Sequence, residues 1–316
     1  WIDFETKIED LLVVLAQCIT KINLAEVDHN ELSGLAEVVS SKEIKVLSFF
    51  DLFNEYGGRV KINDKYVMTP TSLSINAKFC YGKSSENEFN PNEFLRIIQK
   101  QLDEFIQIFN LYLELIVDKL EPNTQFKIES KDWVQPDHIF SFNYTNTFRK
   151  LYESKVKAEF LHGRFGEEQN IVLGVSDLED ESLRKLKAYG FTKYHQKLFK
   201  DTDYLFLDDC SQVKKRILGS KPSAMGKGTK FIIWGHSLDQ SDQEYIKEIF
   251  KLNDERDIGV RVIVYYFDDN AKFILLNNLL DILKKDKVEK WMKNKWLIFE
   301  KNPEVKLVET IPKQTV

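Results

Sequence analysis

The sequence has few cysteines, no long apolar run and no excess of basic charge. Its 316 residues include three cysteines, Cys18, Cys80 and Cys210, which lie far apart and outside any CxxC pair. An odd number of scattered thiols fits a reducing cytoplasm better than a disulfide framework, and the absence of paired cysteines disfavours a structural zinc site. We therefore predict a cytoplasmic protein that binds no metal.

Two further absences limit the expected partners. Every apolar run is shorter than the roughly 20 residues that cross a bilayer, and no signal peptide opens the chain, so we predict no membrane association. The net charge of -5 at pH 7 provides no basic surface for phosphates, which disfavours a nucleic-acid partner. What is present, 43% hydrophobic and 30% charged residues, is typical of a globular protein.

Residues 1–130 carry mostly helical periodicity. After a first helix, the sequence predicts two more helices at about 41–56 and 91–121. The weakly alternating stretch 57–76 between these two indicates a hairpin or loop. The periodicity therefore predicts a mainly helical region, in which we identify no catalytic motif. The first helix, over residues 1–24, has one apolar face, formed by Ile8, Leu11, Leu12, Leu15 and Ile19.

Short apolar runs replace this pattern from about residue 136. Such runs suit strands that are buried on both faces, and helical stretches separate most of them, which predicts a mostly parallel sheet. The predicted fold class is thus α/β, with a core over 131–316 and a helical insertion at about 178–228. The runs are HIFSFN at 138–143, AEFLHG at 158–163, NIVLGVSD at 170–177, KFIIWGHS at 230–237 and VRVIVYYFDD at 260–269.

Small and polar residues follow four of these runs. The carboxyl ends of parallel strands meet at one edge of a sheet, where open α/β sheets bind their ligands. The sequence therefore predicts one crevice lined by all four groups. They are Asn143 with Thr145 and Asn146, then His162 with Gly163, then Gly174 with Ser176 and Asp177, and finally Gly235, His236 and Ser237 with Asp239 and Asp242.

Each of these residues also has a structural interpretation. Asn143 can bond a turn backbone, and His162, which precedes a glycine, can be a structural histidine. Ser237, Asp239 and Asp242 all suit the start of the helix that follows, and we expect at least one of them to cap it. Because the start of a helix also attracts anions, capping and ligand contact are compatible.

Two enzyme motifs are excluded by residue order. GHSLD at 235–239 lacks the second glycine of the nucleophile elbow GxSxG, and no histidine follows Ser237, as that hydrolase fold requires. GSKPSAMGKG has six residues between Gly219 and Gly226 where a phosphate loop has four, and it precedes a predicted strand instead of following one. We therefore predict neither a serine hydrolase of that fold nor a P-loop.

Four segments together carry a resemblance to a known family. They are FSFNYTNTF at 140–148, FLHGRFG at 160–166, IVLGVSD at 171–177 and IIWGHSLDQSD at 232–242. Taken in this order, they resemble the AbiH family of bacteriophage abortive-infection proteins, which is in turn similar to the sirtuin-like NAD-consuming domains of bacterial antiphage systems. The resemblance implies a Rossmann-like, sirtuin-like core and, by way of the sirtuin-like relatives, hydrolysis of NAD at the bond between nicotinamide and ribose.

The same resemblance implies roles for individual residues. Asn143 would position the ribose and the attacking water, and His162 would act as the general base. An imidazole suits that role because its ordinary pKa is about 6.5, so that it is largely neutral near pH 7. The residues expected to bind NAD are Thr145, Gly163, Gly174, Gly235, Ser237 and Asp242.

One feature of the family is missing from this sequence. The family normally begins with a strand and a glycine-rich turn of the GNGFD type, and residues 1–130 contain no such turn. Since Trp1 and not Met opens the chain, we expect that its natural beginning is absent.

A function of a different class is also compatible with the sequence. The chain would then be a nucleotide-sensing or protein-interaction module of a phage-defence system that binds a ligand without turning it over. In both cases the expected partners are a nucleotide, and a second copy of the chain or another protein of the defence system.

Overall fold

The computed structural model divides the chain into two compact units. The first combines Trp1–Phe109 with Val172–Phe199, and the second combines Asn110–Ile171 with Lys200–Val316. The predicted boundary near residue 130 and the predicted helical insertion at about 178–228, part of which lies outside the described residues, stay predictions. The residues that the structure describes are 2–24, 40–56, 59–62, 65–68, 72–83, 89–129, 133–152, 155–202, 206–207, 211–219 and 228–308.

Helices and short strands alternate along the chain. The elements in order are α1 (Ile2–Leu24), α2 (Ser41–Phe49), β1 (Phe53–Tyr56), β2 (Arg59–Ile62), β3 (Lys65–Met68), β4 (Ser72–Ile75), α3 (Pro91–Leu115), β5 (Phe126–Glu129), β6 (Ile139–Ser141), α4 (Thr147–Tyr152), β7 (Ala158–Phe160), α5 (Glu181–Lys185), α6 (Lys193–Phe199), α7 (Gln212–Gly219), β8 (Lys230–Ile233), α8 (Gln243–Lys251), β9 (Arg261–Tyr266), α9 (Asp269–Leu283), α10 (Lys285–Lys293), β10 (Leu297–Lys301) and β11 (Glu304–Leu307). The fold is mixed α/β.

Helix α1 has the predicted apolar face, and all five of its predicted apolar residues are buried. The second helix is shorter than predicted. It begins with a capping box between Ser40 and Glu43 and ends at Phe49, because Asp51 adopts a left-handed backbone with φ 61°. Residues 53–56, predicted as helix, instead pair antiparallel with 72–75 as β1 and β4. Long-range pairing thus overrides the local helical pattern.

Parallel strands form the centre of the second unit. Strands β6 and β7 pair in parallel, and β8, β9 and β10 form a three-stranded parallel sheet with β9 in the middle. The crossovers between the last three strands contain α8 and then α9 and α10. Val262 and Val264 on one face of β9 and Ile263 on the other are all buried, as a strand covered on both faces requires. These pairings confirm four of the five predicted strands, which pair in parallel within two separate small sheets. A single Rossmann-like parallel sheet that unites them stays a prediction.

The prediction of a strand at 170–177 is wrong. Among these residues, all of which the structure describes, only Val175 forms a β-bridge, with Thr192. The side-chain amide of Gln196 takes the place of a strand partner: it accepts from the Leu173 N–H at 3.1 Å and donates to the Leu173 carbonyl at 2.7 Å. A buried amide therefore satisfies the backbone groups that a sheet would otherwise pair.

The antiparallel pair of β5 and β11 was not predicted. Its register joins Phe126 to Leu307 and Glu129 to Glu304, so the pair connects segments far apart in the sequence. In the described part of the chain, no helix combines the length and the apolar character needed to span a membrane.

Helix α9 provides a test of the core of the second unit. We expect Leu279→Ala to lower the free energy of unfolding by about 2–5 kcal/mol, because Leu279 is 0% exposed and its truncation leaves a cavity. Ile274 on the same helix is 48% exposed, so Ile274→Ala is the matched control and should cost less than about 0.5 kcal/mol. Urea unfolding of both variants measures the difference, and equal losses would contradict the described packing of α9.

Candidate functional site

A buried carboxylate lies between two imidazoles in the second unit. His162 Nε2 is 2.8 Å from Asp242 Oδ1, and His236 Nε2 is 3.3 Å from Asp242 Oδ2. His162 is 6% exposed and Asp242 is 8% exposed. Because buried charges in proteins are normally paired, the two imidazoles explain how this carboxylate is accommodated away from water.

Helix α8 brings Asp242 to the end of β7. Tyr245, in the first turn of α8, donates its hydroxyl hydrogen to the Leu161 carbonyl at 2.9 Å. Leu161 in turn donates its N–H to Ser141 at 2.8 Å, which joins the carboxyl ends of β6 and β7. His162 follows Leu161 directly and Asp242 directly precedes α8, so these two hydrogen bonds determine that the side chains meet.

At the start of α8, one aspartate caps a helix and a different aspartate contacts the imidazoles. Asp239 accepts from the Ser241 N–H at 2.9 Å and caps the short 3₁₀-helix Gln240–Asp242, as expected for one of the three candidate residues. Asp242 occupies the N-cap position of α8, but its carboxylate caps no N–H of α8, and its oxygens are directed to the imidazoles.

His236 has a defined tautomer. The Leu238 N–H donates to His236 Nδ1 at 2.8 Å, so Nδ1 is the acceptor and Nε2 carries the hydrogen that faces Asp242. Leu238 itself is buried with a left-handed backbone, φ 55°, a conformation that costs a non-glycine residue about 1–2 kcal/mol. The sequence places His236 in the group of polar residues after the run at 230–237, between Gly235 and Ser237, but assigns it no catalytic or binding role.

Aromatic rings enclose the three polar side chains. The Phe142 ring lies 5.2 Å from that of His162, 4.1 Å from that of His236 and 5.2 Å from that of Tyr245, measured between ring centroids. In such low-dielectric surroundings a hydrogen bond between a carboxylate and an imidazole is stronger than in water. Phe142 directly precedes Asn143, so the loop after β6 covers the pair.

The pair has the chemistry of an oriented general base. A carboxylate that holds one ring nitrogen of a histidine fixes the tautomer and stabilises the imidazolium that forms when the other nitrogen takes a proton. In His162 the nitrogen next to the carboxylate is Nε2. The contact resembles the imidazole–carboxylate part of a catalytic triad with the two ring nitrogens exchanged.

The predicted residues after β6 lie on the loop beside this pair. Asn143 is exposed, and its backbone N–H donates to Ser141 Oγ at 3.1 Å. Thr145 Oγ1 lies 2.9 Å from Thr147 Oγ1, at the start of α4. A ligand contact by either side chain remains a prediction.

Two predicted glycines adjoin the pair, and both have a left-handed backbone. Gly163 has φ +82°, and a Cβ there would lie 2.0 Å from the Asn170 carbonyl oxygen. Gly235 has φ +70°, and an added Cβ would meet no described atom within 4 Å. Ser237 is exposed, and its carbonyl accepts from Asn278 Nδ2 at 2.8 Å.

Gly174 lies in the other compact unit. A Cβ at this position would be 2.1 Å from the Phe191 carbonyl oxygen, so the absent side chain permits the close contact between the 173–175 and 190–193 segments. The structure thus gives Gly174 a packing role, and its binding role remains a prediction.

An open cavity of about 460 Å³ adjoins the carboxyl ends of β6 and β7. Among its lining residues the sequence analysis names only Asn146 as a candidate. Most of the others lie within the quoted segments, and Glu167 and Glu168 directly follow one of them. Their mixture of rings and charges was the signal that a binding site would give. The lining residues are Tyr144, Asn146, Phe160, Arg164, Phe165, Gly166, Glu167 and Glu168.

The two site glycines allow a matched test. We expect Gly163→Ala to lower the free energy of unfolding clearly more than Gly235→Ala. A Cβ added at Gly163 would lie 2.0 Å from the Asn170 carbonyl oxygen, whereas a Cβ added at Gly235 would meet no described atom within 4 Å. For Gly235→Ala we expect a loss of about 1–2 kcal/mol, because alanine is less stable than glycine in a left-handed backbone conformation. Thermal or urea unfolding compares the two variants. A smaller cost for Gly163→Ala would contradict the described packing against Asn170.

Comparison with known proteins identifies the family. The sequence model described as bacteriophage abortive infection AbiH matches residues 1–266. Searches of curated proteins and of solved structures gave no match. The family match covers most of the chain, including the segments that carry His162, His236 and Asp242. The chain therefore belongs to the AbiH family, and this membership implies a role in abortive-infection defence against bacteriophage.

Proposed function

We propose that this AbiH protein acts in defence by hydrolysing NAD at the nicotinamide–ribose bond, on a Rossmann-like core related to sirtuin-like domains. The observation that carries the proposal is the buried pair in which Asp242 Oδ1 lies 2.8 Å from His162 Nε2. The pair follows the carboxyl end of β7, and a cavity of about 460 Å³ lies at the same edge. Ligands of open α/β sheets bind in such positions.

The reaction begins at the bond between C1′ of the ribose and the pyridinium nitrogen. When this bond breaks, its electron pair goes to the ring, nicotinamide leaves as a neutral molecule, and positive charge develops on the ribose. A water oxygen then forms a bond to C1′ and loses a proton. The products are nicotinamide, ADP-ribose and one proton, so charge and atoms balance.

His162 takes the proton from the attacking water in this scheme. Asp242 holds Nε2, and Nδ1 forms the new N–H bond, which converts the ring to an imidazolium. The neighbouring carboxylate stabilises that cation until the proton passes to solvent. A positioned general base of this kind contributes about 10²–10⁴-fold to the rate.

Asn143 and His236 would act through orientation. The exposed side-chain amide of Asn143 has two donors and an acceptor, so it can hold a ribose hydroxyl and the attacking water. His236 donates to the second oxygen of Asp242 and is a positioning residue. The binding roles proposed for Thr145, Gly163, Gly235 and Ser237, all in the second unit, concern the rest of the dinucleotide.

Binding without turnover is the second candidate function. The observation that favours it is the 6% exposure of His162, since a residue buried to this degree can be retained for structure alone. A sensing module would bind NAD or another nucleotide in the same cavity and transmit the change to a partner protein. Release of nicotinamide by the full chain distinguishes an enzyme from such a module.

Histidine and aspartate variants test the proposed base. We expect His162→Ala and Asp242→Asn each to lower the rate of nicotinamide release from NAD by about 10²–10⁴-fold, because each removes part of the oriented base. His138→Ala is the control, since His138 pairs with Glu159 on the β6–β7 pair and should retain near-normal turnover. Chromatography of nicotinamide measures all four proteins.

Folding and binding are followed in the same samples. Circular dichroism confirms that a variant is folded, and calorimetric titration with NAD shows whether the ligand still binds. Equal turnover by folded His162→Ala and by the unchanged protein would remove His162 from catalysis. NAD binding without nicotinamide release by the unchanged protein would favour the sensing function.

A further inference from the structure

The cavity beside β6 and β7 has aromatic walls. Tyr144, Phe160 and Phe165 contribute rings, and Asn146 contributes an amide. Tyr144 is 8% exposed, and its ring centroid lies 6.3 Å from that of His162. A planar group held in this cavity would therefore be close to the proposed base.

The loop that forms one wall is fixed by side-chain amides. The side-chain amide of Asn110 bonds both backbone groups of Gly166. Its Oδ1 accepts from the Gly166 N–H at 2.8 Å, and its Nδ2 donates to the Gly166 carbonyl at 3.3 Å. Asn170 Oδ1 accepts from the Arg164 N–H at 2.9 Å. The wall is thus held in place before any ligand binds, which reduces the ordering cost of binding.

The charges at the rim do not cancel. Arg164 Nη2 lies 4.0 Å from Glu168 Oε2, so this pair carries one positive and one negative charge. Glu167 lines the same cavity and leaves a net negative charge. Aromatic faces and a carboxylate together favour a flat cation over a flat neutral group or an anion.

We propose that this cavity binds the cationic pyridinium ring of NAD, so that it is the nicotinamide subsite of the proposed enzyme. The assignment rests on the proposed function for the identity of the ligand. The net negative charge of the rim disfavours phosphates in this part of the site, so the dinucleotide would extend away from it. With the ring against Tyr144, the ribose faces His162.

The rim charge has a definite kinetic consequence. The ring is positive in bound NAD and becomes neutral as the C1′–N bond breaks, so a carboxylate beside it stabilises the substrate more than the departing nicotinamide. An interaction that favours the ground state lowers KM without raising kcat. Glu167 is accordingly a binding residue and takes no part in proton transfer.

Two small pyridines test the preference for a cation. 1-Methylnicotinamide carries the ring charge and nicotinamide does not, while the two share the ring and the carboxamide. We expect the full chain to bind 1-methylnicotinamide about two- to five-fold more tightly than nicotinamide, measured by NMR titration. Glu167→Gln should reduce this ratio to near one. The matched control is Glu255→Gln, an exposed glutamate of the same unit, which should leave the ratio unchanged.

The outcomes separate this inference from the proposed activity. Equal binding of both pyridines, no binding of either, or an unchanged ratio in folded Glu167→Gln would overturn the cation subsite even if NAD is hydrolysed. A ratio that falls only in Glu167→Gln would support the subsite even if no nicotinamide is released. Where NAD is hydrolysed, Glu167→Gln should raise KM about two- to five-fold and should not lower kcat.

Discussion

The structure of the second unit depends on one buried contact, the Asp242 carboxylate enclosed by the imidazoles of His162 and His236. Burial of a carboxylate destabilises the folded state unless the carboxylate is paired. Removal of one member of such a pair lowers the free energy of unfolding by several kcal/mol. The contact therefore constrains three separate elements: the end of β7, the turn after β8 and the start of α8. Its surroundings of Phe142 and Tyr245 strengthen the constraint because they exclude water.

The same constraint connects architecture to chemistry. Strands β6 and β7 end at the same edge because they are parallel, so the loops after them share the space that holds the buried pair and the aromatic cavity. A group that needs an oriented imidazole for proton transfer and a flat apolar surface for a ring would find both there. This juxtaposition is the basis for proposing NAD chemistry within the defence role that AbiH membership implies.

Local pattern predicted the elements better than it predicted their partners. The 3.6-residue periodicity identified α1, and the short apolar runs identified β6, β7, β8 and β9, since both patterns follow directly from burial. Pairings that depend on distant side chains were missed. Gln196 replaces a strand partner at Leu173, and His236 meets Asp242 only because Leu238 adopts a left-handed backbone. Neither a side-chain substitute nor a strained turn is visible as periodicity.

A double-mutant cycle tests the central contact most directly. The free energy of unfolding is measured for the unchanged protein, His162→Ala, Asp242→Ala and the double variant. We expect a coupling energy of about 1–3 kcal/mol, because each single variant leaves the other polar group buried without this partner. Additive losses, within about 0.5 kcal/mol, would contradict the claim that His162 and Asp242 form the constraint on which the site depends.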